Sequence, residues 1–146
     1  MSRGVLIIPR RCSRAAPVCR CLGNGTVEVL DIRKGERSAE IKGLNEPQGV
    51  YYSSQNGELY VVSGGDGTLR IYDGNSLKLR QTLEYGEDAD NVRYDGRSRQ
   101  ILVGFGNGRL GIVDARGQKV GTIPLSSHPE SFQLEEGRGS APELFS

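Results

Sequence analysis

The side chains best suited to chemistry sit in three short loops about 40 residues apart: Glu46-Pro-Gln48-Gly49, Glu87-Asp88-Ala-Asp90-Asn91 and His128-Pro-Glu130-Ser131. Glu46, Asp88 and His128 hold one equivalent place, and Gln48, Asp90 and Glu130 hold the next. Asn91 and Glu87 flank them. Carboxylates, amides and one imidazole that converge would make an acidic, hydrogen-bonding mouth for a cation or a small polar ligand. The same residues also read as solvated turns in which Asp and Asn cap their own backbone. Sequence leaves both readings open.

Other constellations carry less. His128 is the one histidine, whereas a metal site needs several ligands and a nucleophilic triad needs a His paired with a nucleophile and an acid. Ser126, Ser127 and Ser131 are near it in sequence, but no strand–turn–helix elbow frames them. Cys12, Cys19 and Cys21 lack the usual zinc spacing and a fourth ligand, and an odd count leaves one thiol outside any disulfide set. The glycine-rich stretches at Gly64-Gly65-x-Gly67 and Gly104-x-Gly106-x-Gly108 precede no helix, so neither reads as a phosphate loop. No catalytic set, metal site or cofactor site is read, and the expectation is a protein that binds rather than catalyses.

Formal net charge is +1, which gives no case for a nucleic-acid or membrane partner by bulk electrostatics. That total hides an uneven distribution. Residues 1–24 carry five arginines and no acid, leaving 14 basic and 18 acidic residues for the rest. The first apolar run, Val5 to Ile8, is four residues long, well short of the roughly 7–15 of a signal peptide and the ~20 of a spanning helix. No export signal is read. The Arg-rich start lacks interleaved aromatics and any nucleic-acid module.

What must position the loops is a repeat. Leu22-Gly-Asn-Gly-Thr-Val-Glu-Val-Leu-Asp31, Gly64-Gly-Asp-Gly-Thr-Leu-Arg-Ile-Tyr-Asp73 and Phe105-Gly-Asn-Gly-Arg-Leu-Gly-Ile-Val-Asp114 match, with Gly25, Gly67 and Gly108 spaced 42 and 41 apart. The Asn-Gly and Asp-Gly pairs predict tight two-residue hairpin turns. Val27/Val29, Leu69/Ile71 and Leu110/Ile112 then alternate onto one face. The nearly continuous apolar runs Leu59-Tyr-Val-Val62 and Ile101-Leu-Val103 suit strands covered on both sides. Val50/Tyr52, Val92/Tyr94 and Phe132/Leu134 mark a third strand of the unit, and Ile41, Leu83 and Ile123 a fourth.

Four short strands per 40–42 residues is a propeller blade. The expected fold is all-β: a β-propeller of four-stranded antiparallel blades, about two and a half of them, in an incomplete ring. Residues 1–21 form an atypical Arg/Cys-rich segment. Residues 22–135 form the blades: a partial blade at 22–44, blades at 46–86 and 88–125, and an inner strand at 128–135. Residues 136–146 form an irregular tail. A ring of 4–8 blades closes, so an open piece should be marginal or self-associate through its blade edges. The repeat fades before residue 22 and after residue 135, which suggests truncation or reading-frame products of a longer protein.

The pattern resembles the YVTN-repeat β-propeller family, in its seven-bladed periplasmic and secreted branch. Carrying the resemblance are the strands Tyr60-Val-Val-Ser-Gly64 and Leu102-Val-Gly-Phe-Gly106, the Gly-Asn/Asp-Gly turns, the strands ending in Asp, and the polar loops at 46–49, 88–91 and 128–131. Tryptophan–aspartate repeat propellers share the period but not the Gly-His and Trp-Asp markers. The resemblance implies a scaffold with a small ligand, cation or protein partner at its channel-mouth loops, and a periplasmic or secreted place. The alternative is part of a lactonase-like or quinoprotein-like propeller enzyme whose catalytic residues lie in other blades. No catalytic residue carries over.

Overall fold

Successive side chains of a strand point to opposite faces, so a strand covered on both faces must be apolar throughout. Glu58–Ser63 is such a strand. Leu59, Tyr60, Val61 and Val62 are all 1% exposed or less. Leu59 and Val61 pack with Val27, Val29 and Ile41, whereas Tyr60 and Val62 pack with Val92, Ile101 and Val103. The core of this protein therefore lies between sheets.

The computed structural model describes residues 5–7, 17–22, 25–31, 34–86, 88–127, 132–134 and 144–145. The strands are β1 (Val5–Ile7), β2 (Pro17–Leu22), β3 (Thr26–Asp31), β4 (Glu36–Ile41), β5 (Pro47–Ser53), β6 (Glu58–Ser63), β7 (Thr68–Asp73), β8 (Leu79–Glu84), β9 (Ala89–Asp95), β10 (Gln100–Phe105), β11 (Arg109–Val113), β12 (Lys119–Pro124), β13 (Gln133–Leu134) and β14 (Leu144–Phe145). They form three four-stranded sheets, β1 to β4, β5 to β8 and β9 to β12, each an antiparallel meander, and β13 pairs with β14. Sequence reading assigned only an outer half-blade at this start. The structure pairs β2 with β3 from Pro17↔Asp31 to Leu22↔Thr26, and β1 with β2.

The repeat extends to the backbone. The outer pair of each sheet has a register shift at one equivalent place, Val29/Leu30, Ile71/Tyr72 and Ile112/Val113. Three amides that lead out of outer strands donate to three equivalent glycine carbonyls: Leu44 N to Gly25 O (3.0 Å), Tyr85 N to Gly67 O (2.8 Å) and Leu125 N to Gly108 O (2.7 Å). The hairpin glycine thus ties the chain leaving one sheet to the hairpin between that sheet's two middle strands.

The hairpins differ from expectation. Ser63 pairs with Thr68 and Phe105 with Arg109, leaving loops of four and three residues instead of two. In the first, Gly67 has positive φ (63°) and its neighbour Asp66 does not. Asp66 instead accepts the Thr68 hydroxyl (2.7 Å) and pairs with Arg70. Its carboxylate supports a longer turn that the dipeptide rule does not foresee.

Neighbouring sheets meet closely where a side chain is missing. A Cβ on Gly49 of β5 would lie 2.7 Å from the Asp90 carbonyl oxygen and 2.7 Å from Val62 Cγ2. Tyr85 enters the same seam against Gly111 and Phe105, with ring centroids 4.6 Å apart for the aromatic pair. Burial pushes the Tyr85 phenol from the usual 10.0 up to about 12, and its hydroxyl has no hydrogen-bond partner among the described residues.

Two outcomes follow from this packing. Gly49→Ala should cost about 1–3 kcal/mol by overpacking the seam, read as a lower urea midpoint at unchanged slope. Tyr85→Phe should gain about 1 kcal/mol at neutral pH by removing an unsatisfied buried hydroxyl. Folded Tyr85 keeps its proton until about pH 12, while the unfolded chain loses it near the usual 10.0. Stability is thus full below pH 10 and falls as pH rises towards 12. Tyr85→Phe should flatten that decline, leaving the shares of buried Tyr60 and Tyr72, whose phenols are raised by the same cause.

Candidate functional site

Meander topology puts the loops before the inner strands at one end of the sheets. That end also holds the β6–β7 and β10–β11 hairpin loops. The candidate loops and hairpins meet there: Gly64 N donates to Glu46 O (2.9 Å) and Gly106 N to Asp88 O (2.9 Å). These equivalent bonds fix the backbone of each loop before its strand begins. Glu46 adopts positive φ (51°) to make the turn, and its side chain is exposed.

The inner pairs of the second and third sheets each carry a bulge. Pro47 faces Ser63 and Gly49 faces Val62, so Gln48 is the extra residue. Asn91 faces Gly104 and Ala89 faces Phe105, so Asp90 is the extra residue. A bulge leaves one residue out of the ladder and re-aims its side chain. Gln48 and Asp90, two members of the equivalent set Gln48, Asp90 and Glu130, are the extra residues of these two inner pairs.

Side chains from adjacent blades converge at this end. A Cβ on Gly64 would collide with both Gln48 Nε2 and Asp88 Oδ1, so an amide from one blade and a carboxylate from the next rest on the same bare Cα. Asn45 lies similarly against Gly65. Sequence gives no signal for Asn45, because its place comes only from the packing of its loop onto the hairpin.

Asn91 is used differently. It is 7% exposed, and its Oδ1 accepts from the Val92 amide (3.0 Å) and from Arg93 Nη1 (2.7 Å). Arg93 also donates to Val92 O (2.7 Å) and lies 5.9 Å over the Phe132 ring. Burial pushes its guanidinium below the ordinary value. A cation therefore stands among the expected acids. Glu87, His128 and Glu130 lie outside the described residues. Among the described residues, no three His, Cys, Asp or Glu side chains gather as a metal site would need.

The opposite end of the seam between the second and third sheets holds a cleft of about 590 Å³. It is framed by the turns at 54–57, 96–99 and 114–118 and by the start of β8. Two glycines on the third sheet close it against the second. Gln55 lies on Gly96, and Gln81 packs on Gly117 while its Nε2 donates to Gly117 O (2.6 Å). On its floor, Tyr60 and Tyr94 stack with centroids 6.0 Å apart. The Tyr60 hydroxyl bonds Asn56 Nδ2 (2.6 Å) and Glu58 Oε2 (2.9 Å). Arg80, Arg99 and Arg116 line its rim. Arg80 is paired with Glu58 (3.1 Å) and Asp73 (2.5 Å).

No protein-family model matches the chain, and no curated protein matches it. Solved structures do. It is similar to hydrazine synthase of Kuenenia stuttgartiensis, with a TM-score of 0.75 at 15% identity over 82% of this chain and 36% of that one. It is similar to Sqt1 of Saccharomyces cerevisiae, with a TM-score of 0.73 at 14% identity over 88% and 37% of the two chains. A chain of the Mitotic Checkpoint Complex gives 0.72 at 15% identity over 80% and 38%. This chain spans little more than a third of the length of each. At such identities the likeness bears on fold, and the fold it shows is an open, all-β piece of a β-propeller with four-stranded antiparallel blades.

Proposed function

We propose that the chain is part of a YVTN-type binding propeller, non-enzymatic and of the periplasmic or secreted kind. It holds a protein partner, a small polar ligand or a cation at the inner-strand loops. The observation that carries this reading is the meeting of Gln48 and Asp88, from two blades, on the bare backbone of Gly64. Convergent polar groups at the mouth of a rigid β scaffold are a common way for such folds to bind. The bulges at Gln48 and Asp90 add to it, because each lifts one polar residue out of the ladder beside these loops. A structural neighbour from a multiprotein complex is in keeping with a protein partner.

Gln48→Ala/Asp88→Ala should leave the melting temperature within a few degrees and weaken the bound partner about tenfold or more, or ~1.4 kcal/mol. Affinity capture on the wild type and the double variant, with calorimetric titration of calcium chloride into both, reads this. Proteins or calcium held by the wild type and lost from the variant support the mouth as the site. Identical capture and identical heats would remove it. Turnover of lactone substrates by the chain would overturn the non-enzymatic reading.

A further inference from the structure

We propose that the cleft at the opposite end of the second seam binds a small oxyanion, a carboxylate or phosphate group, through Arg99 and Arg116. This site is separate from the mouth and does not depend on that reading. Its volume of about 590 Å³ lies within the range of small-molecule pockets. Its floor combines apolar Ile71 and Ile101 with the Tyr94 ring.

The repeat singles out Arg99. Shifting Arg99 back by 42 residues lands on Gly57. Both close the turn between an inner strand and the next, and both have positive φ, 69° for Gly57 and 57° for Arg99. Glycine takes that conformation at no steric cost and arginine does not. Leu77 presents the same exception at another turn. It has φ 58° where the equivalents Gly35 and Gly117 have 65° and 79°. Leu77 is compensated, because its side chain packs against the core between the first two sheets. Arg99 is exposed and has no hydrogen bond or ion pair among the described residues.

Arg116 is the second such guanidinium on the same rim. Its backbone amide caps on Asp114 Oδ1 (2.9 Å), while its side chain has no partner among the described residues. The acids of the cleft are already engaged. Glu58 holds Arg80, Tyr60 and Asn56, and Asp114 holds the amides of Arg116 and Gln118. Two uncommitted forks beside a polar wall suit bidentate capture of an oxyanion.

The decisive variant is Arg99→Gly, which restores the residue of the preceding repeat. Amide shifts of the 15N-labelled full chain would be followed during titration with inorganic phosphate and, in parallel, with succinate. Saturable shifts confined to residues 54–57, 96–99 and 114–117 are expected for at least one probe, and the responding arm names the chemistry. Arg99→Gly should melt at the same or a higher temperature and bind that probe about tenfold more weakly or worse. Equal binding by Arg99→Gly, or no saturable shift with either probe, would overturn the site.

Discussion

Burial of apolar side chains between consecutive sheets is the interaction on which everything else here rests. A lone four-stranded meander presents two faces to water, and its hydrogen bonds alone do not hold it together. Each fully buried Val or Leu contributes about 1.5–3 kcal/mol, and β6 sends Leu59 and Val61 to one neighbour and Tyr60 and Val62 to the other. The second sheet is thus stable only as a middle layer. The far face of the third sheet is thinner, with Leu102 and Leu110 packed against Phe132 and half-buried Ile112, Leu125 and Leu134. Ile123 remains 38% exposed.

Close sheet packing also creates the functional geometry. Sheets that carry large residues on both faces can approach only where one side omits a side chain. Gly49, Gly96, Gly111 and Gly117 are such places, filled by the Asp90 backbone, Gln55, Tyr85 and Gln81 respectively. The seam between the second and third sheets is therefore drawn tight along its length and opens at both ends. One end presents Gln48 and Asp88 over Gly64, and the other presents the arginine-rimmed cleft.

Period and alternation made the strands legible from β5 to β12, because apolar spacing reports directly which faces are covered. The hairpin length was not legible. Asp66-Gly67 signals a two-residue turn, but its carboxylate binds Thr68 and Arg70 and the ladder stops at Ser63↔Thr68. β2 is not legible, because Cys19-Arg20-Cys21 stands where the repeat puts an apolar strand, while backbone pairing to β3 needs no apolar pattern. β1 is an apolar run, Val5 to Ile7, that lies outside the repeat and finds its place only by pairing with β2. The sequence groups Asn91 with the mouth, and only the packing shows its Oδ1 accepting from the Val92 amide and from Arg93. Arg99 had a signal available, since the repeat places it on Gly57. That signal says only that the turn is strained, and the cleft beside it comes from four separate segments.

Sequence alone determined the element type, the period and the equivalence of positions, since all three follow from local alternation and turn-forming residues. It paired Gln48 with Asp90 and Glu46 with Asp88 as members of the same sets. Tertiary structure decided which members touch. Gln48 meets Asp88, from the other set, because the bulge shifts one residue out of register and the next blade lies across the seam. Contact between blades depends on register and on how closely two backbones can approach, and neither is written in the period of a single strand.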